Sequence, residues 1–327
     1  MDETAIPGDF AAPYAAIARL MQRRRITLFI GAAASLVGAE ADRLPDGRQF
    51  AGDLMRLSSY PGSSTDPLAK VAQYLVEAAG DRDLVLDYIR SRFHDDISQD
   101  YKCSLTEFLA HLRDDCIPAL IVSTNYDTLV ERTFERRSAP YVCVSHVLGR
   151  SKYAGRLVVY DNLRPLGRSD IMTRAEAEEY LQDKISSVGT ALTIIYKMHG
   201  SAVSYIDREQ RSALGVASGL NTIVVTEQDY IDFLDKSTFP RIPIQIQKLL
   251  FQAQFVFLGY SLSDWNFRLL LHRLREGQEG ADTRHWACLL QRDPVEVTFW
   301  QKRGVNIYHV SLDRFLANLM QTLEGGV

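Results

Sequence analysis

His199 follows the apolar run Leu192–Met198 and precedes Gly200-Ser201. Imidazole has an unperturbed pKa near neutrality, so a histidine delivered by a strand is a natural proton acceptor. The competing reading is a buried, hydrogen-bonded core histidine. Asn125 lies in Thr124-Asn125-Tyr126-Asp127, directly after the apolar run Ala119–Ser123. A carboxamide donates and accepts at once, which suits holding a water or a hydroxyl beside a reacting carbon. Asn125 has a second reading as the cap of a helix that starts near Thr128, and Asp127 reads equally as a ligand-binding carboxylate or an N-cap. A third stretch, Ile26–Ser35, runs from five β-prone residues into Gly31, Ala32, Ala33, Ala34 and Ser35. Small residues there let the backbone approach a ligand, and a helix starting near Ala32 would aim N–H groups at an anion such as a nucleotide pyrophosphate. Plain α/β packing is the alternative, since GxGxxG is absent. A fourth stretch, Gly259-Tyr260-Ser261-Leu262-Ser263-Asp264, follows the run Phe255–Leu258, with Asp264 reading equally as an N-cap.

Other chemistries find no support in the residue pattern. His94, His111, His146, His272, His285 and His309 show neither HExxH nor regular ligand spacing, so no metal site is expected. There is no GxSxG elbow and no P-loop. The four cysteines, Cys103, Cys116, Cys143 and Cys288, form no CxxC pair and read as reduced thiols in a cytoplasmic protein.

These stretches need elements to hold them. Apolar runs of four to seven residues, each bounded by a polar or small turn, read as buried parallel strands. They alternate with helical patterns: residues 13–25, about 241–252, 294–303 and 312–323, with Thr173-Arg174-Ala175-Glu176 as a capping box. Short strands are expected at Tyr141–Val144, Leu157–Tyr160 and Thr222–Val225, and at 285–290 and 305–310. Gly38–Arg48 reads as a connection, Ser204–Gly219 as a mobile loop, and Trp265–Arg275 as a core helix. Between Phe50 and Cys116 only helical spacing appears, with Ser104-Leu105-Thr106-Glu107 as a further capping box. The expected fold is α/β: a doubly wound, mostly parallel Rossmann-like sheet, with no zinc module. It forms one domain over 1–327, with a core at about 13–48 and 118–327 and a helical insertion at about 50–117.

With 327 residues, 46% hydrophobic and 24% charged, the chain is ordinary globular protein. Its 37 basic and 41 acidic residues leave a net charge of −4, which gives no general pull toward nucleic acid or an anionic membrane. Arg23-Arg24-Arg25 closes the first helix, where cations complement the dipole. No run approaches 18 apolar residues and no secretory leader is visible, so a soluble, cytoplasmic protein is expected.

Taken together, the four stretches and a fifth, Pro45-Asp46-Gly47-Arg48, resemble the sirtuin family. Gly31-Ala32-Ala33-Ala34-Ser35 is similar to Gly-Ala-Gly-x-Ser, with Ala33 replacing the middle glycine, and Pro45-Asp46-Gly47-Arg48 to Pro-Asp-Phe-Arg. Thr124-Asn125-Tyr126-Asp127 shares its Asn and Asp with Gln-Asn-Ile-Asp, Met198-His199-Gly200-Ser201 resembles Leu-His-Gly-Ser, and Gly259-Tyr260-Ser261-Leu262 resembles Gly-Thr-Ser-Leu. The variant forms resemble the zinc-free branch found in bacterial antiphage defence. Deacetylating sirtuins carry two CxxC pairs after their His-Gly, whereas here only Cys288 lies beyond His199.

The resemblance implies NAD+ as substrate and an NAD+ glycohydrolase that releases nicotinamide and ADP-ribose and depletes NAD+ during infection. Breaking the bond leaves a cation-like ribose, so polar groups must hold the ribose and deliver water. His199 and Asn125 would be catalytic. Gly31, Ala32, Ala33, Ser35, Gly259 and Ser261 would hold the phosphates or adenosine ribose, and Asp127 the carboxamide. Thr124, Asp46 and Arg48 complete the implied NAD+ site. The resemblance also implies a homo-oligomer, or a gating partner such as a HerA-like ATPase, an argonaute-type protein or another sensor. Alternatives are a zinc-free deacylase, an ADP-ribosyltransferase, and a non-catalytic NAD or ADP-ribose sensor or scaffold.

Overall fold

The structure, a computed structural model, describes residues 12–39, 44–93, 101–148, 152–164, 169–203, 221–234, 242–260, 262, 268, 284–289 and 294–325. Among the described residues nine strands form one sheet: β1 (Ile26–Ile30), β2 (Leu120–Ser123), β3 (Tyr141–His146), β4 (Leu157–Asp161), β5 (Ser169–Met172), β6 (Thr193–Lys197), β7 (Gln254–Leu258), β8 (His285–Cys288) and β9 (Val305–Tyr308). Their order is β5-β4-β3-β6-β2-β1-β7-β8-β9. From β3 to β9 all neighbours are parallel, while β4 and β5 add an antiparallel edge that apolar runs alone do not distinguish.

The described residues include eleven α-helices: α1 (Tyr14–Gln22), α2 (Gly47–Ser58), α3 (Leu68–Ala79), α4 (Asp83–Arg92), α5 (Ser104–His111), α6 (Leu129–Arg136), α7 (Arg174–Val188), α8 (Glu227–Leu234), α9 (Ile244–Gln252), α10 (Pro294–Gln301) and α11 (Leu312–Glu324). All five residues of β1 are buried, and alternate ones face opposite layers. Leu28 and Ile30 pack with the layer that holds α1 to α6 and α11, whereas Phe29 joins the layer that holds α7, α9 and α10. Both faces of the central strands are therefore covered, which is why they read as continuous apolar runs rather than alternating ones. The doubly wound, mostly parallel α/β fold is formed as expected.

Several local expectations change. α2 starts at Gly47, three residues before Phe50, because Asp46 accepts the Gln49 N–H at 2.7 Å and Gln49 returns a bond to the Asp46 N–H. α5 is capped by Cys103 rather than Ser104, since Thr106 Oγ1 takes the Cys103 N–H at 2.9 Å. Among the described residues Thr222–Val225 joins no sheet. Its Ile223 and Val224 carbonyls are taken by Arg82 and the Tyr126 hydroxyl, and its Val225 N–H by the Asp229 carboxylate, while the Val224 N–H goes to the His199 carbonyl at 3.1 Å, so side chains take most of the places a ladder would fill. Ser204–Gly219 and Trp265–Arg275 are outside the described residues, apart from position 268.

The helices between β1 and β2 interlock through α2 and α4. Tyr88 stacks on Phe50 with centroids 5.5 Å apart and donates its hydroxyl to Asp53. Desolvation first, and that hydrogen bond second, push the Tyr88 phenol up to about 12. A pKa raised by folding adds stability that is whole below the unfolded value of about 10 and is lost as pH rises through the folded one. Chemical denaturation between pH 9 and 12 is expected to show a shallower alkaline loss for Tyr88→Phe than for wild type.

Candidate active site

The site is set by register. Leu258 pairs with Ile30, Ile30 with Ser123, and Ser123 with Lys197, so the ends of β7, β1, β2 and β6 stand in one row. At about 4.8 Å per strand, four ends extend over roughly 14 Å. Gly259, Gly31, Thr124 and Met198 leave the sheet at the same level, each leading into one of the polar stretches. The chain moves from β1 toward β2 on one side and from β7 toward β8 on the other. Their diverging connections make the switch point where open α/β sheets bind ligands.

The glycines of this row serve each other. A Cβ on Gly31 would lie 2.7 Å from the Gly259 carbonyl oxygen, and one on Gly259 would lie 2.1 Å from the Ala34 nitrogen. Gly259 also has φ +61, a left-handed backbone that favours glycine. Ala33 N–H donates to Gly259 O at 3.1 Å, and Ala34 N–H to Gly31 O at 2.9 Å. The helix expected near Ala32 is one 3-10 turn, Ala32–Ser35, in which Ala32 and Ala33 are exposed and Ala34 and Ser35 buried. Gly259→Ala is expected to destabilise the fold by about 3 kcal/mol, read from urea denaturation.

Behind this turn lies a buried polar cluster. Ser35, Asn125 and Asp127 are 2%, 6% and 4% exposed. Ser35 Oγ lies 2.8 Å from Asp127 Oδ2 and 2.8 Å from Asn125 Nδ2. Asp127 Oδ1 accepts the Leu129 N–H at 3.1 Å, so this carboxylate also caps α6. Asn125 makes no cap: its Oδ1 is buried and meets no hydrogen-bond partner among the described residues. Two side chains that motif reading passed over hold the cluster's backbone. Tyr101 donates to Ser35 O at 2.8 Å, and Lys197 Nζ donates to Asp127 O. Lys197 also pairs with Glu131 at 3.2 Å, with both side chains nearly inaccessible to solvent. The visible signals were a lysine closing an apolar strand and a glutamate on the apolar side of α6.

His199 follows β6 by two residues, as Asn125 follows β2, so the two leave neighbouring paired strands in step. Ala202 N–H donates to Tyr126 O at 2.9 Å, joining the two loops directly. The His199 ring meets Tyr230 edge-on at 5.5 Å and Phe233 at 6.4 Å, both from α8. Arg82, at the start of α4, grips α8 from outside: it pairs with Asp229 at 2.7 Å and donates to Ile223 O at 3.0 Å. The helices between β1 and β2 therefore help place the aromatic wall beside His199.

Thr124 Oγ1 turns back onto Ile30 O at 3.2 Å. Asp46 is engaged as the α2 cap, Arg48 is exposed on that helix's first turn, and the described contacts join neither to the cluster. Ser261 and Asp264 are outside the described residues. All four cysteines are buried, and burial pushes the Cys288 thiol up to about 12. Among the described residues no group of three or more His, Cys, Asp or Glu is placed to hold a metal. Likewise no helix among them is long and apolar enough to cross a membrane.

Residues 119–308 match the family model of the SIR2-like domain. The match covers more than half of the chain, which therefore belongs to the SIR2-like family. Members of this family are NAD-dependent enzymes, and its domains use NAD+. No curated protein matches the chain. The matched segment begins at β2, yet β1 and its glycine turn lie at the centre of the same sheet, between β2 and β7.

Proposed function

We propose that this chain is an NAD+ glycohydrolase that uses water to cleave the bond between nicotinamide and ribose. One observation carries the reading: a buried carboxamide oxygen without a partner among the described residues, Asn125 Oδ1, stands one strand away from His199 at the switch point. An unmet buried acceptor costs about 1–3 kcal/mol, which a donor brought by substrate or water relieves. The residues thus fit a ligand rich in hydroxyl groups. The reaction consumes one water and yields nicotinamide, ADP-ribose and a proton. His199 takes that proton from the attacking water or a ribose hydroxyl, and Asn125 holds the hydroxyl. The turns at Gly31–Ala33 and at Gly259 form the floor for the phosphates and adenosine ribose, and Tyr230 and Phe233 stand beside the His199 ring. Water is the acceptor because the chain has a single cysteine beyond His199 and cannot build the zinc module that shapes an acyl-lysine cleft.

In this reading the protein is an antiphage effector that depletes NAD+, restrained as a homo-oligomer or by a HerA-like ATPase, an argonaute-type protein or another sensor. Purified protein incubated with NAD+, with and without each such partner, is expected to release nicotinamide and ADP-ribose without any acyl acceptor. Strict dependence on an acylated peptide would replace hydrolysis by deacylation. Tight NAD+ binding with no product under any condition would make the chain a sensor.

A further inference from the structure

Ser35 has one hydroxyl proton and two neighbours. The Asp127 carboxylate is acceptor-only, and its Oδ1 already receives the Leu129 N–H. Its Oδ2, 2.8 Å away, therefore takes the Ser35 proton. Ser35 Oγ can then only accept from Asn125, so Asn125 must turn its NH2 toward the serine. The two ends of a carboxamide are alike in shape, but proton counting tells them apart here. Oδ1 is thereby left as the outward end of the relay, buried and unpartnered among the described residues. All three side chains are more than nine-tenths buried, so bulk water cannot exchange their roles. The backbone at both ends is pinned, at Ser35 by Tyr101 and at Asp127 by Lys197.

We propose that Asp127, acting through Ser35, sets the polarity of Asn125, so that the site presents a lone acceptor. It then takes a hydroxyl or a water at this point and rejects a phosphate oxygen or a carbonyl. Only the identity of the ligand rests on the hydrolase reading. Asp127 and Ser35 are positioning residues, and Asn125 is the group that meets substrate.

The relay can be reversed without changing its shape. In Asp127→Asn the new carboxamide must keep its oxygen on the Leu129 N–H, so its NH2 faces Ser35. Ser35 then donates to Asn125, whose amide turns over and shows NH2 to the substrate. Asn125→Asp alone sets two carboxylates against a serine with one proton. In the double variant Asn125→Asp/Asp127→Asn the Ser35 proton goes to position 125, and an acceptor faces the site again. Total charge equals that of wild type.

The four full-length proteins are compared by melting temperature, by the side-chain amide signals of isotope-labelled protein, and by kcat and KM for NAD+. Asp127→Asn is expected to lower kcat by roughly tenfold to a hundredfold, with a smaller change in KM, and to shift the Asn125 amide pair. Asn125→Asp is expected to melt well below wild type, and the double variant to recover both stability and a large part of kcat. A double variant no more stable than Asn125→Asp would overturn the relay, as would an Asn125 amide unmoved in Asp127→Asn, whatever the activity. If the double variant regains stability while the wild type cleaves no NAD+ with any partner, the relay stands and the hydrolase reading falls. If the wild type cleaves NAD+ and stability is not regained, the reverse holds.

Discussion

His199→Gln is expected to lower the rate of NAD+ cleavage by about 10²–10⁴-fold, the range for removing a positioned general base. Glutamine keeps a polar side chain of similar reach between Tyr230 and Phe233 but does not titrate near neutrality. Binding of NAD+, followed by calorimetry, is expected to change by less than about tenfold, because the proton acceptor acts on the reaction and not on the bound ground state. The experiment separates the two readings of this residue. If His199 is only a packed core histidine, the variant will lose melting temperature and cleave NAD+ at nearly the wild-type rate. Tyr230 and Phe233 of α8 stand edge-on to the ring at 5.5 and 6.4 Å, so the variant side chain meets the same aromatic neighbours.

Glu131→Leu is expected to destabilise the protein by about 3–5 kcal/mol, because it strands the Lys197 ammonium. Lys197 is 1% exposed and Glu131 2%, so neither charge can turn to solvent. Among the described residues Lys197 would keep only the Asp127 carbonyl, a neutral acceptor. Replacing both, Lys197→Met/Glu131→Leu, is expected to recover most of the loss, since an apolar pair of similar volume removes the desolvation penalty with the charges. Urea denaturation of the two singles and the double closes the cycle and isolates the coupling. The double variant is nonetheless expected to cleave NAD+ more slowly, because Asp127 loses the donor that pins its carbonyl. A recovered fold with impaired turnover is the mark of a positioning pair. Additive losses would show that the two charges act independently.

Much of this architecture was legible in the residue order. Ile26–Ile30, Leu120–Ser123, Thr193–Lys197 and Gln254–Leu258 are buried on both sides, so their burial is written in continuous apolar composition, a local property. The capping box at Thr173 and Glu176 likewise depends on residues three apart. Thr222–Val225 was misread for the complementary reason. Its composition is that of a strand, but its backbone groups are claimed by Arg82, Tyr126 and Asp229, and no local pattern announces such partners. Cys103 displaced Ser104 as a cap by a margin of one residue, at a helix end where competing caps differ little in energy.

The candidate site divides along the same line. That Asn125 and His199 leave the ends of strands, and that such ends share a crevice in a doubly wound fold, follows from strand and helix alternation alone. What Asn125 can do at that crevice does not. Its amide orientation depends on a serine 90 residues away and a carboxylate 92 residues from that serine, brought together because β1 and β2 pair in register. The charge that steadies the cluster comes from Lys197 on a third element and Glu131 on a fourth. Secondary structure comes from short-range periodicity and burial, which any window of the chain displays. Proton ownership in a buried network belongs to contacts between distant segments, and exists only once the sheet has closed around them.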